Sequence, residues 1–178
     1  MAGFGVWRSL VARSVRVGEV PSSNLGSPIL SGIDVRATRA GDENAWRELW
    51  DGYCAFYESV VPAEATTATW RRLLDPDEPL EGMVAERDGE VIGFVNCVLH
   101  PSTWSAADTC YLEDLFVSPT ARGSGAGRAL IEAVLERARS NGWDQVYWHT
   151  REDNARARAL YDSFTKADDF VRYVVRSE

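Results

Sequence analysis

The stretch "LEDLFVSPTARGSGAGRALIEAVLERA", residues 112–138, decides the fold. Its first residues are β-rich, and Ser118-Pro119 stops the strand they predict. Three glycines and an arginine then fall between Ala121 and Gly127, directly before apolar residues at helical spacing. Strand, glycine loop and helix in that order aim unpaired N–H groups and the positive end of a helix dipole at any anion in the turn. A glycine turn that merely lets helix and strand pack closely is the other reading. Two nucleotide motifs are excluded. A P-loop needs Gly-Lys-Ser/Thr, whereas Gly127 is followed by Arg128 and Ala129. The G-x-G-x-x-G fingerprint, counted from Gly123, would need glycine where Arg128 stands.

Outward from this stretch, "IDVRA" alternates as a strand. Asp42 precedes acids and a run of apolar residues at helical spacing from Ala45 to Val60, which reads as a capped helix. Pro62 opens a second helical stretch, ended by "DPDEP". Residues 82–99 read as a hairpin turning at Asp88-Gly89, a pair that tolerates positive φ. After the glycine helix, which Asn141-Gly142 closes, come a strand "DQVYWHT", a short helix "NARARALYDSF" and a last strand "DFVRYVV". The order predicts an α/β (mixed α+β) fold, a twisted mixed sheet of about six to seven strands flanked by about four helices. Residues 1–32 show no sustained period and read as a flexible extension, with one domain over 33–178.

Of 178 residues, 45% are hydrophobic and 26% charged, with a net charge of −8. That balance disfavours phosphate-backbone binding, so no nucleic-acid partner is expected, and it suits a cationic one. No apolar run approaches a membrane span, and no membrane partner is expected. Cys54, Cys97 and Cys110 are isolated and only two histidines occur, which predicts no metal site and a reducing, cytoplasmic setting.

Arg122-Gly123-Ser124-Gly125-Ala126-Gly127 matches R-x-x-G-x-G, and Asn154, Ala157, Leu160 and Tyr161 match N-x-x-A-x-x-L-Y further on. With "YLEDLFV" before them, the chain resembles the GNAT superfamily of N-acetyltransferases over roughly residues 33–176, closest to polyamine, histone-type and amino-acid acetyltransferases. The resemblance implies acetyl-CoA as cosubstrate, its pyrophosphate cradled by Arg122, Gly123, Ser124, Gly125, Ala126, Gly127 and Arg128. It implies a splayed strand whose N–H groups at Leu115, Phe116 and Val117 meet the pantetheine and polarise the carbonyl. Asn154 would lie beside the pantetheine, and Tyr161 would face the thioester sulfur. Relatives of this kind are commonly homodimers.

Acetyl transfer to an amine needs a proton acceptor, because a lysine-like amine is protonated near neutrality. Strand alternation puts Glu113 on one face with Leu115 and Val117, and Asp114 on the other. Glu113 is therefore the candidate base or amine-binding group, with an internal salt bridge as the competing reading and Asp114 a structural partner. A phenol can protonate a departing thiolate, which makes Tyr161 the candidate acid. His100 and His149 read as structural. The expected acceptor is a small-molecule primary amine, cationic and polyamine-like, or a lysine side chain, with direct transfer in a ternary complex. A D-amino-acid or histone-type acetyltransferase is an alternative, as is an acyl-CoA-binding regulatory module without catalysis.

Overall fold

The computed structural model describes residues 32–176, so the expected extension, Gly32 apart, lies outside the described residues. The chain divides into two compact units, one through Tyr147 and the other from Trp148.

The first unit holds strands β1 (Ile33–Ala37), β2 (Leu80–Arg87), β3 (Glu90–His100), β4 (Thr109–Val117) and β5 (Gln145–Tyr147), with helices α1 (Glu43–Phe56), α2 (Ala63–Leu73) and α3 (Ala126–Asn141). The sheet runs β1-β2-β3-β4-β5. Its first four strands are antiparallel neighbours, and β5 joins β4 in parallel after the α3 crossover. The β2–β3 turn places Asp88 and Gly89 at φ of 53° and 81°, the left-handed pair that this dipeptide predicts.

Both faces of the sheet are buried. Val84, Phe94 and Phe116 pack with Trp46, Leu49, Trp50, Trp70 and Leu73 of α1 and α2. Trp46 is wholly enclosed; its ring stacks on Trp50 at 5.2 Å and meets Trp70 at 5.1 Å. Ala85 and Val95 point to the other face by alternation and are also fully buried, as are Leu130, Ile131 and Val134 of α3. Large aromatics on α1 at positions 46, 50 and 53 thus build one layer, and the glycine-led helix supplies the other.

Three sequence expectations need correction. The described residues form five strands rather than six or seven. "DFVRYVV" alternates well but enters no ladder, and Phe170, Val171, Tyr173, Val174 and Val175 are exposed. A strand pattern fixes which side chains share a face; it does not supply the neighbouring backbone that a strand requires. Asp42 precedes α1 but does not cap it. Its carboxylate instead accepts two bonds from the Arg36 guanidinium (2.7 and 2.9 Å) and one from the Arg39 N–H (2.8 Å). That arginine holds the Asp42 carboxyl below its ordinary range.

Candidate active site

β4 changes character along its length. From Thr109 to Tyr111 it is laddered to β3 on one side and to β5 on the other. Beyond Tyr111, β3 is the only described strand paired with it. The β3 register slips between Asn96↔Asp114 and Cys97↔Leu112, so Glu113 is the extra residue of a β-bulge. Glu113 is exposed, whereas its neighbours Leu112 and Asp114 are buried.

Past the bulge the direction of each N–H follows from antiparallel alternation. Ser118 N–H donates to Ile92 O at 2.8 Å, which makes Ser118 and Ile92 a hydrogen-bonded pair. Two residues back, Phe116 and Phe94 are then the next such pair, so the Phe116 N–H is directed to β3. Leu115 and Val117 turn theirs to the other edge. Of the three expected backbone donors, the ladder thus directs two to the edge that β5 leaves open. Their half-buried side chains share the face of Glu113, as alternation predicts.

The glycine loop continues from this edge. Gly123 and Gly125 have φ of 88° and 96°, a region where a side chain clashes with its own backbone. Ser124 Oγ accepts from the Ala126 N–H at 3.4 Å. Gly125, at the N-cap of α3, has no side chain to offer the first turn. A Cβ built on Gly123 would meet nothing within 4 Å, so the space over the turn is open. Bare N-terminal N–H groups, left-handed glycines and free space fit a pyrophosphate. Ala126 is buried and anchors the helix start. The Arg122 guanidinium lies 5.6 Å from the Phe116 ring centroid, and Arg128 reaches Glu132 at 3.7 Å, so both cations flank the turn from exposed positions.

The second unit carries α4 (Ala155–Tyr161). Asn154 caps it: its Oδ1 accepts from the Ala157 N–H at 3.4 Å and its Nδ2 donates to Thr150 Oγ1 at 3.0 Å. Asn and Ala of the sequence signature are therefore a helix cap and its partner. Tyr161 closes the helix with its ring 5.5 Å from that of Trp148.

Other candidates resolve into structure. His100 bonds the Pro101 carbonyl (3.0 Å) and the Tyr147 hydroxyl (3.1 Å), a structural histidine as expected. Cys110 is fully buried, and burial pushes the Cys54 thiol up, so neither presents a ready thiolate. Sequence reasoning missed Asn96 and Tyr53. Both serve Asp114, whose carboxyl burial pushes up against the hydrogen bonds of those two partners. A lone Asn inside the apolar run "GFVNCVL" was the signal that could have found the first of them.

These features agree with the comparisons to known proteins. The model of the acetyltransferase (GNAT) family matches residues 46–164. The chain belongs to the GNAT family. It is 39% identical over 143 residues to the D-amino-acid N-acetyltransferase HPA3 of Saccharomyces cerevisiae, covering 79% of this chain and 89% of that protein. It is 32% identical over 182 residues to a mycothiol acetyltransferase of Thermobispora bispora, which spans 98% of this chain and 58% of that protein. Among solved structures, AAC(6')-Iy in complex with the bisubstrate analog CoA-S-monomethyl-acetylneamine superposes with a TM-score of 0.71 at 22% identity, over 83% of this chain and 99% of that one. The chain is a GNAT-family N-acetyltransferase, and the family uses acetyl-CoA. Among the described residues, no helix is long and apolar enough to cross a membrane.

Proposed function

We propose that this GNAT enzyme acetylates the primary amine of a small acceptor by direct transfer in a ternary complex. The observation that carries the reading is the half-open β4: an exposed carboxylate on a bulge, two backbone donors on the unladdered edge, and a bare glycine turn at the strand's end. Acetyl-CoA supplies the acetyl group as a thioester. The N–H groups of the α3 turn hold its phosphates, with Arg122 and Arg128 adding charge. Leu115 and Val117 N–H stabilise negative charge as it grows on the carbonyl oxygen. Glu113 takes the proton from the acceptor ammonium, directly or through water. Tyr161 hands a proton to the departing sulfur. Burial of Cys110 and the raised Cys54 thiol favour transfer without an acetylated cysteine.

The acidic chain and the exposed Glu113 favour a cationic, polyamine-like acceptor. The 39% identity to a D-amino-acid N-acetyltransferase supports a second reading, a D-amino-acid acceptor. Thiol release from acetyl-CoA, measured against spermidine, D- and L-lysine, an aminoglycoside and a lysine-rich peptide, separates them. Turnover confined to spermidine supports the first, and turnover confined to the D-amino acid the second. Tight acetyl-CoA binding with no thiol release from any amine would overturn the enzymatic roles of Glu113 and Tyr161.

A further inference from the structure

Between the aromatic layer and β4 runs a chain of buried polar groups to which acetyl transfer assigns no step. Trp46 Nε1 donates to Asn96 Oδ1 at 3.4 Å, and Asn96 Nδ2 donates to Asp114 Oδ2 at 3.0 Å. The Tyr53 hydroxyl also donates to the Asp114 carboxylate. The direction of this chain is forced. An indole N–H can only donate, so Asn96 turns its oxygen to Trp46 and its amide nitrogen to Asp114, and Asp114 accepts. Trp46 is wholly buried, and Asn96 and Asp114 are 4% and 8% exposed.

A buried carboxylate held by neutral donors is a poor way to stabilise a fold, because its desolvation is costly. What it does provide is one acceptor for donors on two elements. Asn96 comes from β3 and Tyr53 from α1. Asp114 is also the residue at which the ladder resumes after the slip that extrudes Glu113. Its side chain therefore ties β4 to strand and helix immediately beside the bulge.

We infer that Asp114 is a positioning residue for acetyl transfer, pinning the bulge through Asn96 and Tyr53 so that Glu113 is held on the outward face. This rests on the reading of Glu113 as the proton acceptor. The full chain is compared as parent, Glu113→Gln, Asp114→Asn, the double variant and Tyr53→Phe. Turnover is read with acetyl-CoA and, as acceptors, spermidine and D-lysine. The Glu113 carboxyl is titrated by carbon-detected NMR, which needs no acceptor.

If Asp114 positions Glu113, Asp114→Asn lowers kcat about tenfold, the order expected when a reacting group is misplaced by a fraction of an ångström to an ångström. KM for acetyl-CoA stays within about twofold of the parent. The Glu113 titration moves, and the double variant is no slower than Glu113→Gln alone, since a group that acts through Glu113 has nothing left to position. Tyr53→Phe keeps the carboxylate and removes one donor, so it moves the same readouts less and serves if Asp114→Asn does not fold. A parent-like kcat with an unchanged Glu113 titration in Asp114→Asn overturns the inference. So does a double variant whose two losses multiply. Glu113→Gln with parent activity would remove the reading of Glu113 and this inference together, whereas a slow Glu113→Gln beside a parent-like Asp114→Asn sinks the inference alone.

Discussion

The two halves of β4 belong to one continuous strand yet do opposite things. Thr109 to Tyr111 sits between two other strands, and Thr109 and Cys110 have no exposed surface. Asp114 to Val117 has a strand on one side only, follows a bulge that extrudes Glu113, and runs into a turn of left-handed glycines. A fully laddered strand offers a ligand no backbone groups, because every N–H is already taken. Leaving one edge unladdered gives up hydrogen bonds and gains donors held rigid by the other edge. The buried half sets the position that the open half exploits. Substitutions should therefore divide cleanly between stability and rate according to which half they touch.

The sharpest test of that division is Glu113→Gln. Loss of a positioned general base costs on the order of 100-fold in kcat, about 2.7 kcal/mol of barrier. Because Glu113 is exposed, thermal stability and acetyl-CoA affinity should stay close to the parent. A large fall in melting temperature instead would place Glu113 in the fold and erase the contrast.

On the stability side stands Asp42, whose clasp on Arg36 also engages Glu86 of β2 and so helps close β1 onto the sheet. Charge-assisted bonds of this kind contribute on the order of 2 kcal/mol, so Asp42→Asn should lower unfolding stability by about that much at neutral pH and leave kcat alone. The sign with pH follows from the lowered carboxyl. The folded state then binds the proton less readily than the unfolded chain, so the contribution is complete above about pH 4 and is lost as pH falls through the folded value. Denaturant titrations of parent and variant should thus converge on acidification. Asp114 has the opposite sign: its carboxyl is raised by burial, and its contribution to stability diminishes as pH rises through the folded value.

A smaller effect is expected at Gly125, where φ is 96°. Alanine there should cost about 1–2 kcal/mol of backbone strain. Because the strained residue leads α3, the loss should show in calorimetry as weaker CoA binding, by roughly tenfold for each 1.4 kcal/mol. Unchanged CoA binding with reduced stability would make the loop a packing turn, the reading that the glycines alone leave open.

Most of this division was legible in the sequence, for definable reasons. Glycines at 123, 125 and 127 and the Asp88-Gly89 turn announce backbone conformations that few residues adopt, and the apolar spacing of α1 and α3 is strong. The sequence also places Glu113 opposite Asp114, since alternation is local. The bulge was not legible. A register slip depends on which residues of β3 face β4, and no local signal at Leu112-Glu113 marks it. Nor was the Asp114 network, whose members lie far apart in sequence at positions 46, 53 and 96. The pattern of "DFVRYVV" misled because alternation describes a strand's faces and says nothing about a partner for its edges.

The smallest expected effect probes the closed half directly. Thr109 is fully buried, and its hydroxyl has no hydrogen-bond partner, although its backbone lies in ladders on both sides. An unsatisfied buried hydroxyl costs free energy, so the residue contributes through its shape and its β-branched backbone preference. Valine keeps both and removes the orphaned oxygen. Thr109→Val should therefore be neutral or stabilising by up to about 1 kcal/mol, with kcat and KM unchanged. Chemical denaturation of the two proteins measures the difference. A clear loss of stability would reveal a polar role for Thr109, and a change in kcat would mean that the closed half of β4 reaches the chemistry after all.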